Sequence, residues 1–159
     1  MAILEQFEWV VRNVSFFTDE PASQEGDQHP FVIRDIHTKL PKKVTKLFDD
    51  AHYAEATFHA AKFVDRRVAK MSGLELSGAA LMQQAFNDKN PKMALNALSN
   101  ETEKTEQKGY MSLFVGLVWA IRNPRGHDAS IRDEQSLCLE HLSFISMLMR
   151  RLEEAGQTF

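Results

Sequence analysis

Residues 99–128 read SNETEKTEQKGYMSLFVGLVWAIRNPRGHD, and this stretch decides the fold. Ser99 or Asn100 can cap a helix, and Glu101 and Glu103 put negative charge in a first turn, where the helix dipole favours it. From there to about Arg122 the apolar spacing is helical. Tyr110, Leu113, Phe114, Leu117 and Ile121 share one stripe, with Val115 and Trp119 opposite. Apolar residues on both sides predict a central, largely buried helix. Gly109 and Gly116 lower helix propensity, which close approach of neighbouring helices would explain. Asn123-Pro124 predicts an exit from helical conformation, and Gly126 a tight turn beyond it.

The same period runs outward in both directions. A final helix is predicted from Asp133 to about Ala155, with Leu137, His141, Phe144, Ile145, Leu148 and Leu152 in register and Gly156 ending it. Upstream, Ser77–Phe86 is a shorter helical run closed by Asn-Asp-Lys-Asn-Pro. Met93, Leu95 and Leu98 form an apolar stretch that fits strand or turn equally. Tyr53, Ala56, Ala60, Val64, Val68 and Met71 mark a longer helix with Gly73 as its stop. From Phe31 to Asp50 helical spacing persists across Pro41, which either kinks one helix or opens a second. Residues 1–17 read as an amphipathic N-terminal helix built on Ile3, Leu4, Phe7, Val10, Val11 and Val14. Trp9 and Phe16 lie on its other face. An acidic, aperiodic linker, 18–28, joins it to a helical domain spanning 29–156. No segment alternates with a period of two, so the expectation is all-α: a bundle of five or six helices with an extra N-terminal helix.

Composition agrees. The 159 residues are 43% hydrophobic and 26% charged, the make-up of one soluble domain with a real core. Five Pro and seven Gly are too few for a sandwich or barrel. A single cysteine, Cys138, excludes a disulfide framework, and its place beside a core stripe marks a buried structural thiol. The first residues lack a signal-peptide pattern, and no apolar run has membrane-spanning length, so a cytoplasmic protein with no membrane contact is expected. The net charge of −3 conceals a gradient: residues 1–30 sum to −5 and residues 31–72 to +4. Lys39, Lys42, Lys43 and Lys46 lie in the basic part. They read either as a solvated helix face or as a local patch for an anionic partner.

Few chemistries fit the side chains. The six histidines show no metal-ligand spacing, no Gly-rich phosphate loop is present, and neither metal nor cofactor is expected. Arg122-Asn-Pro-Arg-Gly-His127 stands apart. An imidazole can shuttle a proton near neutral pH, and a guanidinium can grip a phosphate through two hydrogen bonds. Arg-x-x-x-x-His arises by chance about 0.3 times in a chain of this composition. A turn with a helix-compensating Arg122 and a locally bonded His127 is therefore the ordinary alternative.

Arg122-Asn123, with His127 after a long apolar helix, resembles the HEPN superfamily (higher eukaryotes and prokaryotes nucleotide-binding). His29-Pro-Phe-Val-Ile33, Leu47-Phe-Asp-Asp-Ala-His-Tyr53, Ala60-Ala-Lys62, Ser72-Gly73, Gly78-Ala-Ala-Leu81, Gln107-Lys-Gly109, Leu113-Phe-Val-Gly116 and Ile121 to His127 are similar to the Ymh-type family of uncharacterised bacterial and phage proteins. That resemblance covers about 29–152. The superfamily resemblance implies an HEPN-like bundle and metal-independent cleavage of RNA at a site formed by two motifs across a homodimer. In that scheme His127 moves the proton, Arg122 steadies the charge on the phosphorane and Asn123 orients the pair. The products are a 2′,3′-cyclic phosphate and a 5′-hydroxyl. Arg125 lies outside the shared motif and would add phosphate contact, as would Lys39, Lys42, Lys43 and Lys46. The implied setting is phage defence or a toxin-type system, with an antitoxin or other partner protein. The same superfamily also contains non-catalytic modules that bind a nucleotide or a protein, and that reading stands as the alternative.

Overall fold

In a computed structural model, residues 28–159 are described, and every regular element among them is helical. The N-terminal helix and acidic linker expected over 1–28 lie outside the described residues, save Gln28. Two units are distinguished, with a boundary between Ile33 and Arg34. The described part of the first holds one short helix, α1 (Pro30–Ile33).

In the second unit, Pro41 opens a helix and does not kink one. It precedes α2 (Lys42–Asp49) with φ −58° and ψ 139°. The helical spacing read across 34–40 does not become helix. Pro41 keeps Leu40 out of the α region, and side chains take the backbone donors that a helix would use. The N–H of His37 donates to Ser146 Oγ (2.9 Å), and that of Lys39 to His37 Nδ1 (3.1 Å).

Helix α3 (Tyr53–Ser72) is the central rod. It packs on α2, on α4 (Gly78–Ala85), on α7 (Gln135–Glu154) and on the segment around Arg122. Its buried stripe of Ala56, Ala60, Ala61, Val64 and Val68 explains why. Small side chains admit several neighbours at once, and no large residue keeps them away. Gly73 ends α3 in the left-handed conformation, φ +67°, as its sequence position predicts.

Helix α5 (Glu101–Gly116) is capped by Asn100, whose side chain accepts from the Glu103 N–H (2.9 Å). Glu103 reaches back past the cap to accept from the Ser99 N–H (2.8 Å), a variant of the capping box displaced by one residue. The expectation of a central, largely buried helix here is not met. Burial is confined to Gln107, Phe114 and Val115, while Leu113 is 40% exposed. Gly109 and Gly116 face open space, so close approach is not their role.

The apolar stretch after α4 is irregular loop. Buried Gln107 holds it: its Oε1 accepts from the Leu95 N–H (2.8 Å), and its Nε2 donates to the carbonyls of Phe86 (3.0 Å) and Met93 (3.1 Å). Phe86 stacks on Phe114 at 4.4 Å between ring centres, fastening α4 to α5. In α7 the buried set begins at Cys138, Leu139 and Leu142, with Leu137 left partly outside. Cys138 is buried, accepts from Thr57 Oγ1 (3.4 Å) and ties α7 to α3. Burial pushes its thiol up to about 11. Among the described residues no helix is long and apolar enough to cross a membrane.

Candidate active site

Beyond Gly116 the α5 rod continues as a π-helical segment, Leu117–Arg122, and then as α6, Asn123–His127. The N–H of Asn123 bonds to the Val118 carbonyl, five residues back. Pro124 accounts for this widening: it has no N–H to donate, and in a regular helix its ring collides with the carbonyl four residues earlier. The expected exit at Asn123-Pro124 is therefore corrected. The chain absorbs the proline by opening one turn and leaves the helix only at Asp128, which is extended (φ −123°, ψ 103°). The extra residue in that turn also moves the apolar register. Leu117 and Val118 are buried, whereas Ile121 is only partly so and Trp119 is 60% exposed.

Gly126 does not form a turn. It sits in α6 without a left-handed φ, and a Cβ built on it would lie 2.8 Å from Phe58 Cε2 on α3. Here is the close approach of helices that Gly109 and Gly116 do not provide.

This contact builds the site. Residues four apart on a helix sit above one another, which places Arg122 over Gly126 and Asn123 over His127. These four and Phe58 line a pocket of about 100 Å³. Arg122 Nη1 donates to Asn123 Oδ1 (3.1 Å), holding the guanidinium beside the amide. Arg122 Nε is buried and has no hydrogen-bond partner among the described residues. Gly78 lies beside this arginine: a Cβ there would sit in ordinary contact, 3.9 Å from Nη1. Gly78 adopts φ +69°, and its N–H donates to the buried carboxylate of Asp65 at 2.6 Å. Asp65 thus fixes the start of α4 against Arg122. His127 is exposed at the rim. A guanidinium and an exposed imidazole on one small pocket can bind an oxyanion and exchange protons with it.

The other residues singled out from sequence lie elsewhere. Arg125 turns into the protein and pairs with Asp133 through two bonds, Nε to Oδ2 (2.7 Å) and Nη2 to Oδ1 (2.8 Å), with side chains only 8% and 2% exposed. Its Nη1 donates to the Ile121 carbonyl (2.8 Å). This guanidinium is committed to holding α6 against the segment before α7. His141 lies 3.4 Å from Arg125 Nη2, and burial first, then that guanidinium, hold its pKa below the ordinary value. Lys39, Lys42, Lys43 and Lys46 are all exposed at or just before α2. Of these, Lys43 is seated at a cavity, which it shares with His59, Lys62 and Arg66. Motif spacing does not single out Lys62, Arg66 or Phe58, and offers His59 only as a histidine without metal-ligand spacing. Their signal is an i, i+3, i+7 spacing of His59, Lys62 and Arg66 on the polar side of α3, with an aromatic just outside the apolar stripe.

No curated protein and no solved structure matches the chain. Residues 34–152 match the family described as a protein of unknown function, Hypoth_ymh, and the chain belongs to that family.

Proposed function

We propose that the pocket of Arg122, Asn123 and His127 cleaves RNA without a metal ion, in the manner of the HEPN ribonucleases that the motif resembles. One observation carries the reading: the three side chains meet at one open pocket, with the imidazole at its rim and the Arg122 guanidinium held by Asn123.

The ribose 2′-oxygen attacks the adjacent phosphorus, forming the O2′–P bond as P–O5′ breaks. His127 takes the 2′-hydroxyl proton, and Arg122 stabilises the charge on the equatorial oxygens. The departing O5′ needs a proton in the same event, which the base that has just accepted one does not supply. We assign that donor to His127 of a second copy, so the working unit is a homodimer. Cleavage leaves a 2′,3′-cyclic phosphate and a 5′-hydroxyl. Unchecked RNA cleavage harms the cell that makes the enzyme, which suits a toxin-type or phage-defence role under the control of a partner protein.

The test is incubation of purified protein with a mixed RNA pool in EDTA, beside His127→Ala prepared identically. The expected result is cleavage that the substitution lowers by about 10²–10⁴-fold, with cyclic-phosphate ends and an unchanged circular dichroism spectrum. Equal cleavage by both proteins, or by neither, overturns the assignment and leaves the non-catalytic binding module as the reading to pursue.

A further inference from the structure

A second cavity, of about 240 Å³, is lined by Pro41 and Lys43 at the start of α2 and by His59, Lys62, Phe63 and Arg66 on α3. The α3 residues recur at i, i+3, i+4 and i+7, one face of a helix. Every fully charged group at the cavity is a cation. Among the described residues, Lys43, Lys62 and Arg66 form no ion pair, whereas Arg125, Arg150 and Arg151 all do. Glu55, the acid nearest in influence to His59, stands one turn away on α3 and outside the lining. Burial, followed by Lys43, Lys62 and Arg66, holds the His59 pKa below the ordinary value. Three like charges facing one cavity repel one another unless an anion enters.

The cavity adjoins the first pocket. Phe58, which lines the Arg122–His127 pocket, carries Lys62 Nζ over its ring at 5.5 Å and touches the His59 ring at 5.6 Å. Along α3, Lys62 stands about one helical turn from Phe58, ~6 Å of axial rise. Unpaired cations, a nearby aromatic face and an adjacent oxyanion pocket together fit a phosphodiester backbone. From this we infer that the Lys43–His59–Lys62–Arg66 cavity is a phosphate subsite for single-stranded RNA, holding a backbone phosphate next to the one at Arg122. The choice of RNA over a free phosphate or an acidic peptide rests on the proposed function. The anionic character of the ligand does not.

The experiment measures binding of a labelled single-stranded oligoribonucleotide to full-length His127→Ala protein over a salt series. Its affinity is compared with that of the same protein carrying Lys43→Gln, Lys62→Gln and Arg66→Gln. A control carries Lys89→Gln and Lys92→Gln, both exposed in the loop after α4 and outside either cavity. The cavity variant should lose at least about tenfold in affinity, and its log–log salt slope should fall by about 0.7 for each phosphate contact removed. The control should stay within about twofold, and all three proteins should melt alike. Inorganic phosphate and an acidic peptide serve as competitors. Displacement of RNA by phosphate at millimolar levels supports the subsite, and displacement by the peptide alone overturns it.

Equal losses in cavity and control variants reduce the effect to diffuse charge and overturn the subsite, as does absence of RNA binding by the parent. Should the cavity variant bind like its parent while wild type cleaves RNA, the subsite fails and the ribonuclease stands. A selective loss without wild-type cleavage keeps the subsite and removes the ribonuclease.

Discussion

Gly126→Ala is the most informative single change, because two opposed effects act on it and the structure gives both. Alanine favours helix over glycine by at most about 1 kcal/mol, and less near the end of a five-residue helix such as α6. Against this, the new methyl group would start 2.8 Å from Phe58 Cε2 and 3.6 Å from Cδ2 and Cζ. Carbon pairs rest at about 3.5–4.0 Å, so the ring or α6 must move by roughly 0.7 Å or more. Overpacking of this kind costs about 1–3 kcal/mol. Repulsion wins, and the expected net loss is about 1–2 kcal/mol by urea denaturation. In a Phe58→Ala background the ring is gone, so the same change should be neutral or mildly stabilising. The double-mutant cycle therefore yields a coupling of about 1–3 kcal/mol. The displaced ring also narrows a pocket of only about 100 Å³, so RNA cleavage should fall by more than stability alone explains. A stabilising Gly126→Ala, with no coupling to Phe58, would refute the close approach of α6 to α3 and the pocket it creates.

Further expectations concern the buried charges. Arg125→Ala or Asp133→Ala alone should cost about 3–5 kcal/mol, because each leaves an uncompensated buried charge; the double substitution should cost clearly less than the two together, and additive losses would show the pair to be solvated. The pKa values of both His59 and His141 are held below their ordinary 6.5, chiefly by burial and then by neighbouring cations. Folding therefore keeps these rings neutral. The unfolded chain binds protons first as pH falls, so stability is complete above about pH 6.5 and declines below it, through the depressed native values. Chemical denaturation at a series of pH values checks this, and a rise in stability between pH 6.5 and 5 in His59→Gln/His141→Gln relative to wild type is the expected signature.

Much of the fold is legible from local rules, because the residues that set it act within a turn of themselves. Gly73 supplies the left-handed stop that two or three letters of sequence predict, while Asn100 as cap and Pro41 as helix start are each one of two readings that the local letters leave open. The alanine and valine stripe of α3 is equally plain, since burial follows a strict helical period there. What escapes is non-local or breaks the period. The π-helical turn has no signature in a 3.6-residue pattern, so Ile121 is placed on the core side and Trp119 opposite it on a register that no longer holds. Asp133 stands eight residues from Arg125, and nothing in the spacing tells that their side chains meet and that Arg125 faces inward. The second cavity is hidden for a related reason: Lys39, Lys42, Lys43 and Lys46 cluster in sequence, whereas Lys62 and Arg66, dispersed along α3, meet Lys43 only after folding.

The candidate site depends on the irregularity that hides it. With the N–H of Asn123 bonded five residues back to Val118, the turn before α6 contains one residue more than a regular helix would. A residue contributes about 100° of rotation to an α-helix, so the extra one turns the whole of α6 about the rod relative to α5. Trp119 is carried outward by that change of phase, while Gly126 is brought against Phe58. Asn123 and His127 follow, since they share α6 with Gly126, and Arg122 remains at the junction, hydrogen-bonded to Asn123. Pro124 makes the wide turn preferable to a regular one, and the Arg125–Asp133 pair anchors its outcome on the far side. The segment Asn-Pro-Arg-Gly thus acts between Arg122 and His127 as a positioning device: the proline sets the phase, the arginine locks it, and the glycine lets the face that carries both candidate groups close on α3.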